Sequence, residues 1–475
     1  MKITNLELTS EEMLRMGEAA LKAVVDHIAE LPASSCNDLD RFPDIAGLLS
    51  EPPPEEGMDF EPILDFLMKK AIPASMTHPH PSFMGYIPAG GLYPSAVADF
   101  IAAATNRYVG VSFAAPALAR LEKVVLDWFV QWMGYPETAR GILTSGGSLA
   151  NFSAVVTARR HLLGDDLSKG TIYMSNQTHH CVIKAASLAG IPHNNIRMLD
   201  VDDHFRAVPD YFEKAIKEDR EKGLKPFFLV GNAGTTNTGA VDPLIELGEV
   251  ARKFGLWYHL DAAYGGFFRL CEEGRRVLDG IERSDSVVLD PHKGLFVPYG
   301  TGSLLVREGE LLRRAHVMGA DYIQDHPVPE GEWDSADYSP ELTRSFRGLR
   351  VWLPLKLFGV RAFQENLSEK LRLTQWIYRR LSEEPGFECI SRPELSAFAF
   401  RYRPKTGDLD VFNRKLIKAI IESKKLYLSS TMLDREFVIR ICILGFRTHE
   451  PDVAKAFELI RSTARKLEAQ NGQPA

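Results

Sequence analysis

The fold class that the sequence predicts is α/β, with a mainly parallel central sheet flanked by helices and a smaller C-terminal α+β domain. Three observations predict it. Short apolar runs alternate with helical patterns between residues 76 and 350. In that stretch the polar clusters fall directly after apolar runs. Beyond about residue 351 a long helical pattern gives way to three short strand patterns and a terminal helix. Alternation of the first kind builds βαβ units around a parallel sheet. Ligands of such sheets bind outside the carboxyl ends of the strands.

The elements follow in chain order. MKITNLELTSEEMLRMGEAALKAVVDHIAEL reads as an amphipathic helix capped at Thr9 or Ser10. A loop rich in Pro, Ser, Asp and Glu (LPASSCNDLDRFPDIAGLLSEPPPEEGMD) and the helix EPILDFLMKKAI follow. That loop is long for a compact domain, so residues 1–75 are expected to wrap a second domain or a second subunit. In the large domain, 76–350, the strand patterns GILTS, TIYMS and FFLVGN each precede a helical pattern, and LWYHLD and SVVLD complete the set. The small domain, 351–475, opens with the helix VWLPLKLFGVRAFQENLSEKLRLTQWIYRRL. The strands LSAFAFRYRP, LYLSSTML and EFVIRICIL and the helix EPDVAKAFELIRSTARKLEA come next.

Composition excludes several functions. At 475 residues the chain is expected to hold two or three domains. Hydrophobic residues at 45% and charged residues at 25% fit a soluble globular protein. The net charge of -7 leaves no basic surplus to neutralise phosphates, which argues against a nucleic-acid partner. The five cysteines are scattered, odd in number and without CxxC spacing. They point to a reducing compartment and to neither a disulfide framework nor a structural zinc. The N-terminus lacks the apolar core of a signal peptide, and no run of about 18 apolar residues forms a membrane span. The expected location is the cytoplasm.

Four clusters carry chemistry. In ILTSGGSLAN a strand runs into a glycine turn and a helix start, with Ser148 as a candidate cap. The N–H groups of Gly146, Gly147 and Ser148, at the positive end of that helix, form a phosphate cradle, or else a tight turn with nothing bound. The motif is neither GxGxxG nor a P-loop. GNAGTTNTGAVDP supplies hydroxyls at Thr235, Thr236 and Thr238. In YHLDAAYGG an apolar run ends on Asp261, and a carboxylate there needs a donating partner. The small alanines after it leave room for a flat ligand. In SNQTHHCVIKA, His179 or His180 can lie over a planar ring; adjacent histidines rarely ligate one ion, and no carboxylate or cysteine stands at usable spacing for a metal. THPHPSF, at 77–83, lines a pocket or forms a proline-rich bend.

SVVLDPHKG adds Lys293 just past another apolar run. A lysine desolvated in a crevice has a lowered pKa and can form a Schiff base with an aldehyde. A phosphate cradle, a buried carboxylate, a stacking histidine and an imine-forming lysine together fit one ligand, pyridoxal phosphate.

With these residues in view, the chain resembles the pyridoxal-phosphate-dependent group II decarboxylases, the aromatic-L-amino-acid decarboxylase family, over nearly its whole length. HLDAAYGG and DPHKGL are the strongest matches. The resemblance implies a fold-type I homodimer with active sites at the subunit interface and an N-terminal segment around the partner. It gives Asp261 the ring-nitrogen role and Lys293 the covalent anchor, and it places Ala263 under the ring and His179 over it. Gly147 and Ser148 then hold the phosphate, with Thr235 and His292 as further cofactor-site residues. A mobile loop after the lysine carries a proton-donating tyrosine in this family, and the spacing lands on Tyr322. The implied reaction is decarboxylation of an L-amino acid, with Tyr322 or His179 returning a proton. Phe83, Tyr86, Ile87 and Phe113 suit an aromatic substrate ring or belong to the core. Two positions depart from the family pattern. Leu149 stands where many relatives have glutamate, and Gly294, where animal enzymes have tryptophan, either opens space or reflects a bacterial-style branch.

Overall fold

The computed structural model of the chain describes residues 6–88, 90–317 and 332–471. Seven strands form one sheet: β1 (Arg140–Thr144), β2 (Gly170–Ser175), β3 (Ile196–Leu199), β4 (Lys225–Asn232), β5 (Trp257–Asp261), β6 (Ser286–Leu289) and β7 (Gly302–Val306). Their order is β1-β7-β6-β5-β4-β2-β3. The run from β6 to β3 pairs in parallel, while β7 is antiparallel to both β6 and β1. Every residue of β2, β5, β6 and β7 is buried, as helices on both faces require of a parallel sheet.

Period-two alternation sorts the strand side chains between two cores. Leu229, Leu260, Val287 and Leu289 face the helices Pro116–Met133 and Leu244–Phe254, which supply Leu126, Phe129 and Leu247. Val230 and Val288 face the helices Gly147–Leu162 and His180–Leu188, which supply Ala154, Val155 and Val182. The alanines of Gly147–Leu162 bring that helix close to the sheet, and its first turn sits above the strand ends.

The smaller unit has an antiparallel sheet of β8 (Phe387–Cys389), β9 (Ala397–Tyr402), β10 (Ser429–Leu433) and β11 (Glu436–Cys442), ordered β10-β11-β9-β8. Phe398, Phe400, Ile439 and Ile441 pack on Phe412 and Leu416 of helix Leu409–Glu422 and on Phe457 and Ile460 of helix Glu450–Asn471. Burying each of these large side chains contributes about 2–3 kcal/mol.

Several local expectations change. The helix expected from VWLPLKLFG onward is two helices merged across Gly359, whose φ of 72° and ψ of 158° are non-helical. The N-terminal loop holds four short helical turns between Leu31 and Leu49. The helix after it widens from Phe60–Phe66 into a π turn at Leu67–Ala71. Thr9 does cap helix Ser10–Glu30, through a reciprocal pair with Glu12. Ser148 does not cap: the helix already begins at Gly147, with Gly146 in the cap position. No residue of Ser10–Glu30 is buried, and Met13, Leu14, Leu21 and Val25 are exposed.

β7 touches the glycine turn. A Cβ at Gly302 would lie 2.5 Å from the Gly146 carbonyl carbon and 2.7 Å from Thr144 Oγ1. Gly302→Ala is therefore expected to push the turn away and cost about 1–3 kcal/mol, read as a lower urea midpoint. An unchanged midpoint would show that the strand absorbs the methyl group.

Candidate active site

Because β1 runs in the same direction as β2, β4, β5 and β6, five carboxyl ends lie along one edge of the sheet. The loops after them enclose a cavity of about 400 Å³. Gly147 and Ser148 follow β1, His179 follows β2, Thr235 follows β4, Asp261 ends β5 with Ala263 just beyond it, and His292 and Lys293 follow β6. Every expected cofactor-site residue thus lines one cavity. A wider cleft of about 950 Å³ lies elsewhere, lined by charged residues such as Glu273, Arg372, Arg379 and Arg392, and it holds none of these strand-end groups.

Lys293 sits on the helical turn Pro291–Gly294, and its Nζ lies 2.9 Å from Asp290 Oδ2. Burial alone lowers the lysine pKa. The adjacent Asp290 charge, its hydrogen bond and the more distant Asp261 outweigh burial, so the net shift is upward. This corrects the expectation of a lowered pKa: the crevice desolvates the amine but also supplies its counter-charge. Asp290 is 3% exposed in its side chain, and its Oδ1 has no hydrogen-bond partner among the described residues. Asp261 is 8% exposed. Its Oδ1 accepts from the Ala263 N–H at 3.2 Å and its Oδ2 from Asn151 Nδ2 at 3.5 Å.

His179 is the N-cap of helix His180–Leu188, and its Nδ1 accepts from the Cys181 N–H at 3.3 Å. Burial lowers its pKa against the opposing pull of Asp261. In the neutral ring the proton then sits on Nε2. His292 Nδ1 lies 2.6 Å from the Thr301 carbonyl oxygen, so Nδ1–H donates there. Burial lowers the His292 pKa as well, with Asp290 opposing. Thr235 is held by its N–H to the Ala240 carbonyl and by a 2.8 Å hydroxyl contact with Thr238. Behind that loop Asp242 accepts from the Asn232 and Ala207 N–H groups, and burial pushes its pKa up to about 6.

The proposed substrate residues do not join this cavity within one chain. Phe83 is 1% exposed and stacks on Tyr427 at 4.8 Å, so it belongs to a core. Ile87 packs against the large core. Tyr86 and Phe113 are 49% and 40% exposed. Tyr322 lies outside the described residues. Gly294 does not open space, because Phe267 fills the position: a Cβ there would meet Phe267 Cβ at 2.6 Å. Among the described residues no group of three or more His, Cys, Asp or Glu could hold a metal ion.

Sequence reasoning passed over Asp290, Asn151, Cys181 and His259. Asp290 carried a signal, being three residues before Lys293 on a helical turn. His259 carried a weaker one, since it is two residues before Asp261 and so on the same strand face.

These residues fit pyridoxal phosphate. The first N–H groups of helix Gly147–Leu162 have no intrahelical partner and open toward the cavity as an anion cradle. A Cβ at Gly147 would crowd that cradle, lying 3.2 Å from Asp290 Oδ2 and 3.4 Å from Ala263 Cβ. A crystal structure of Oryza sativa TDC with PLP and tryptamine superposes with a TM-score of 0.93 at 26% identity, covering 98% of this chain and 100% of that one. That of Rhodiola rosea 4-hydroxyphenylacetaldehyde synthase gives 0.89 at 26% identity, covering 97% and 99%. Fold and cavity define a fold-type I pyridoxal-phosphate enzyme, and pyridoxal phosphate is its cofactor. The model of the pyridoxal-dependent decarboxylase conserved domain matches residues 47–403. The aromatic-L-amino-acid decarboxylase of Bacillus atrophaeus is 35% identical over 469 residues, 98% of each chain. The chain belongs to the pyridoxal-dependent decarboxylase family.

Only a neutral amine attacks an aldehyde, and Asp290 favours the ammonium form of Lys293. Cofactor uptake by cofactor-free protein should therefore rise with pH. Asp290→Asn removes the counter-charge and should move the midpoint of that rise to lower pH. Stopped-flow absorbance with borohydride fixation on Lys293 reads it, and a stationary midpoint would remove Asp290 from this role.

Proposed function

We propose that the protein decarboxylates an aromatic L-amino acid of the tyrosine, tryptophan, phenylalanine or DOPA type to the amine and carbon dioxide. The observation that carries this reading is the convergence of Lys293, Asp261 and the Gly147 cradle on one cavity. The relatedness to an enzyme named for aromatic L-amino acids supports the substrate class.

Bound in the cavity, pyridoxal phosphate supplies an electron sink for the pair released when the substrate loses carbon dioxide. In our reading Lys293 Nζ would hold the cofactor through its aldehyde and would be the group that frees the product. Asp261 would hold the ring nitrogen as hydrogen-bond acceptor, with Ala263 and His179 available to the two faces of the ring. Gly147, Ser148 and the neighbouring N–H groups hold the phosphate, and Thr235 and His292 close the sides. A proton returns to the substrate carbon from Tyr322, or from His179 Nε2.

The substrate's ring meets Tyr86 and Phe113, and a second copy of the chain brings them to the cavity. The exposure of both residues supports this, as does a 21-residue helix Ser10–Glu30 with no buried side chain. In this reading residues 1–75 wrap the partner subunit. The five unpaired cysteines support the cytoplasm as location.

Incubation with a panel of L-amino acids, aromatic and acidic, should yield one aromatic amine in step with carbon dioxide. Tyr322→Phe should lower amine output roughly 100-fold or more. Unchanged amine output would sink the role given to Tyr322. The similarity to an aldehyde synthase makes a second outcome specific: oxygen uptake with aldehyde, ammonia and hydrogen peroxide in place of amine. Separately, deletion of residues 1–30 should convert a dimer to monomer in analytical ultracentrifugation, with loss of activity. A deleted chain that stays dimeric would count against the wrapping helix.

A further inference from the structure

Behind Asp261 the large domain buries a row of polar side chains that the proposed chemistry does not use. Asn151, His259 and Ser286 are fully buried, and Trp257 is 4% exposed. Trp257 Nε1 lies 2.7 Å from Ser286 Oγ, Ser286 Oγ 2.7 Å from His259 Nδ1, and His259 Nε2 2.8 Å from Asn151 Oδ1. Asn151 Nδ2 then reaches Asp261 Oδ2 at 3.5 Å and Cys181 Sγ at 3.4 Å.

The ends of this row fix its direction. An indole N–H can only donate, so Ser286 Oγ accepts from Trp257, which leaves its own hydrogen free to turn to His259 Nδ1. Burial keeps the imidazole neutral, its pKa pushed down to about 3. With Nδ1 accepting, Nε2 carries the ring proton and donates to the Asn151 oxygen. The amide nitrogen is left to face the carboxylate. The reverse order would set the amide oxygen against Asp261, two acceptors with no proton between them.

We propose that Asn151 and His259 are positioning residues, whose one-way hydrogen-bond row presents a donor to Asp261 and holds its carboxylate turned to the cofactor's ring nitrogen. The Ala263 N–H occupies the other oxygen, so the carboxylate is gripped at both ends. This rests on the assignment of Asp261 to the ring nitrogen, and not on which amino acid is the substrate.

The test uses holoenzyme loaded with pyridoxal phosphate labelled with nitrogen-15 in the ring. Asn151→Asp keeps the shape of the side chain but sets a second carboxylate beside Asp261. His259→Phe removes the ring's donor and acceptor, and Ser286→Ala removes only the hydroxyl that fixes the tautomer. Losing a hydrogen bond to a charged group should raise the cofactor's dissociation constant about ten- to hundredfold in Asn151→Asp and His259→Phe, and less in Ser286→Ala. The ring-nitrogen resonance should move toward its unprotonated position in the same order. If His259→Phe fails to fold, the two smaller changes carry the test. Lower melting temperatures with an unmoved resonance and unchanged cofactor affinity would make the row merely structural and overturn the proposal. Asp261→Asn is the control: if it leaves the resonance unmoved, the assignment of Asp261 falls, and the proposal with it.

Discussion

A half-buried ammonium beside a buried carboxylate, Lys293 on Asp290, is the constraint around which the cavity is arranged. Moving such ions out of water costs several kcal/mol each, and only close pairing offsets it. The pairing is local: Asp290 ends the run of β6, Pro291 starts a helical turn, and Lys293 returns over the carboxylate three residues later. That turn cannot shift without exposing or unpairing one charge. The reactive amine is therefore fixed in position by the same interaction that favours its protonated form.

The other groups reach the lysine because the sheet directs them there. Four neighbouring loops leave the same edge, each anchored by a strand whose side chains are buried on both faces. Close packing lets little of this framework drift, so Asp261, His179 and the Gly147 turn keep fixed relations to Lys293. Asp242, pinned between Asn232 and Ala207, does the same for the threonine loop. The cofactor residues thus stand at the ends of strands buried on both faces. The aromatic residues put forward as substrate contacts stand on segments that leave their rings at the surface, or inside a different core.

That division explains which parts of the site were legible in the chain. Asp261, Lys293, His179 and Gly147 each follow an apolar run, and a strand end is visible from pattern alone. Their convergence follows once the strands are parallel. Phe83 and Gly294 were not legible in this way. Whether Phe83 lines a pocket depends on Tyr427, and whether Gly294 is open depends on Phe267, residues that pattern does not bring together. The antiparallel β7 went unseen because its buried run GSLLV resembles any other strand, and direction is set by its neighbours β1 and β6. The lysine's pKa was misjudged for a related reason: desolvation can be inferred from an apolar context, but the sign of the net shift belongs to the partner.

By itself the sequence determined the alternation of strands and helices, the edge at which polar groups gather and the residue types that call for pyridoxal phosphate. These depend on periodicity and on neighbours a few residues apart. Only the tertiary structure decided how Lys293 is charged, that Asn151 and His259 stand behind Asp261, and which glycines are filled by other side chains. Asn151 reaches His259 and Asp261 across more than a hundred residues of chain, and even where the partner is only three residues away, as Asp290 is from Lys293, the free energy of a buried polar group depends on what the fold puts beside it.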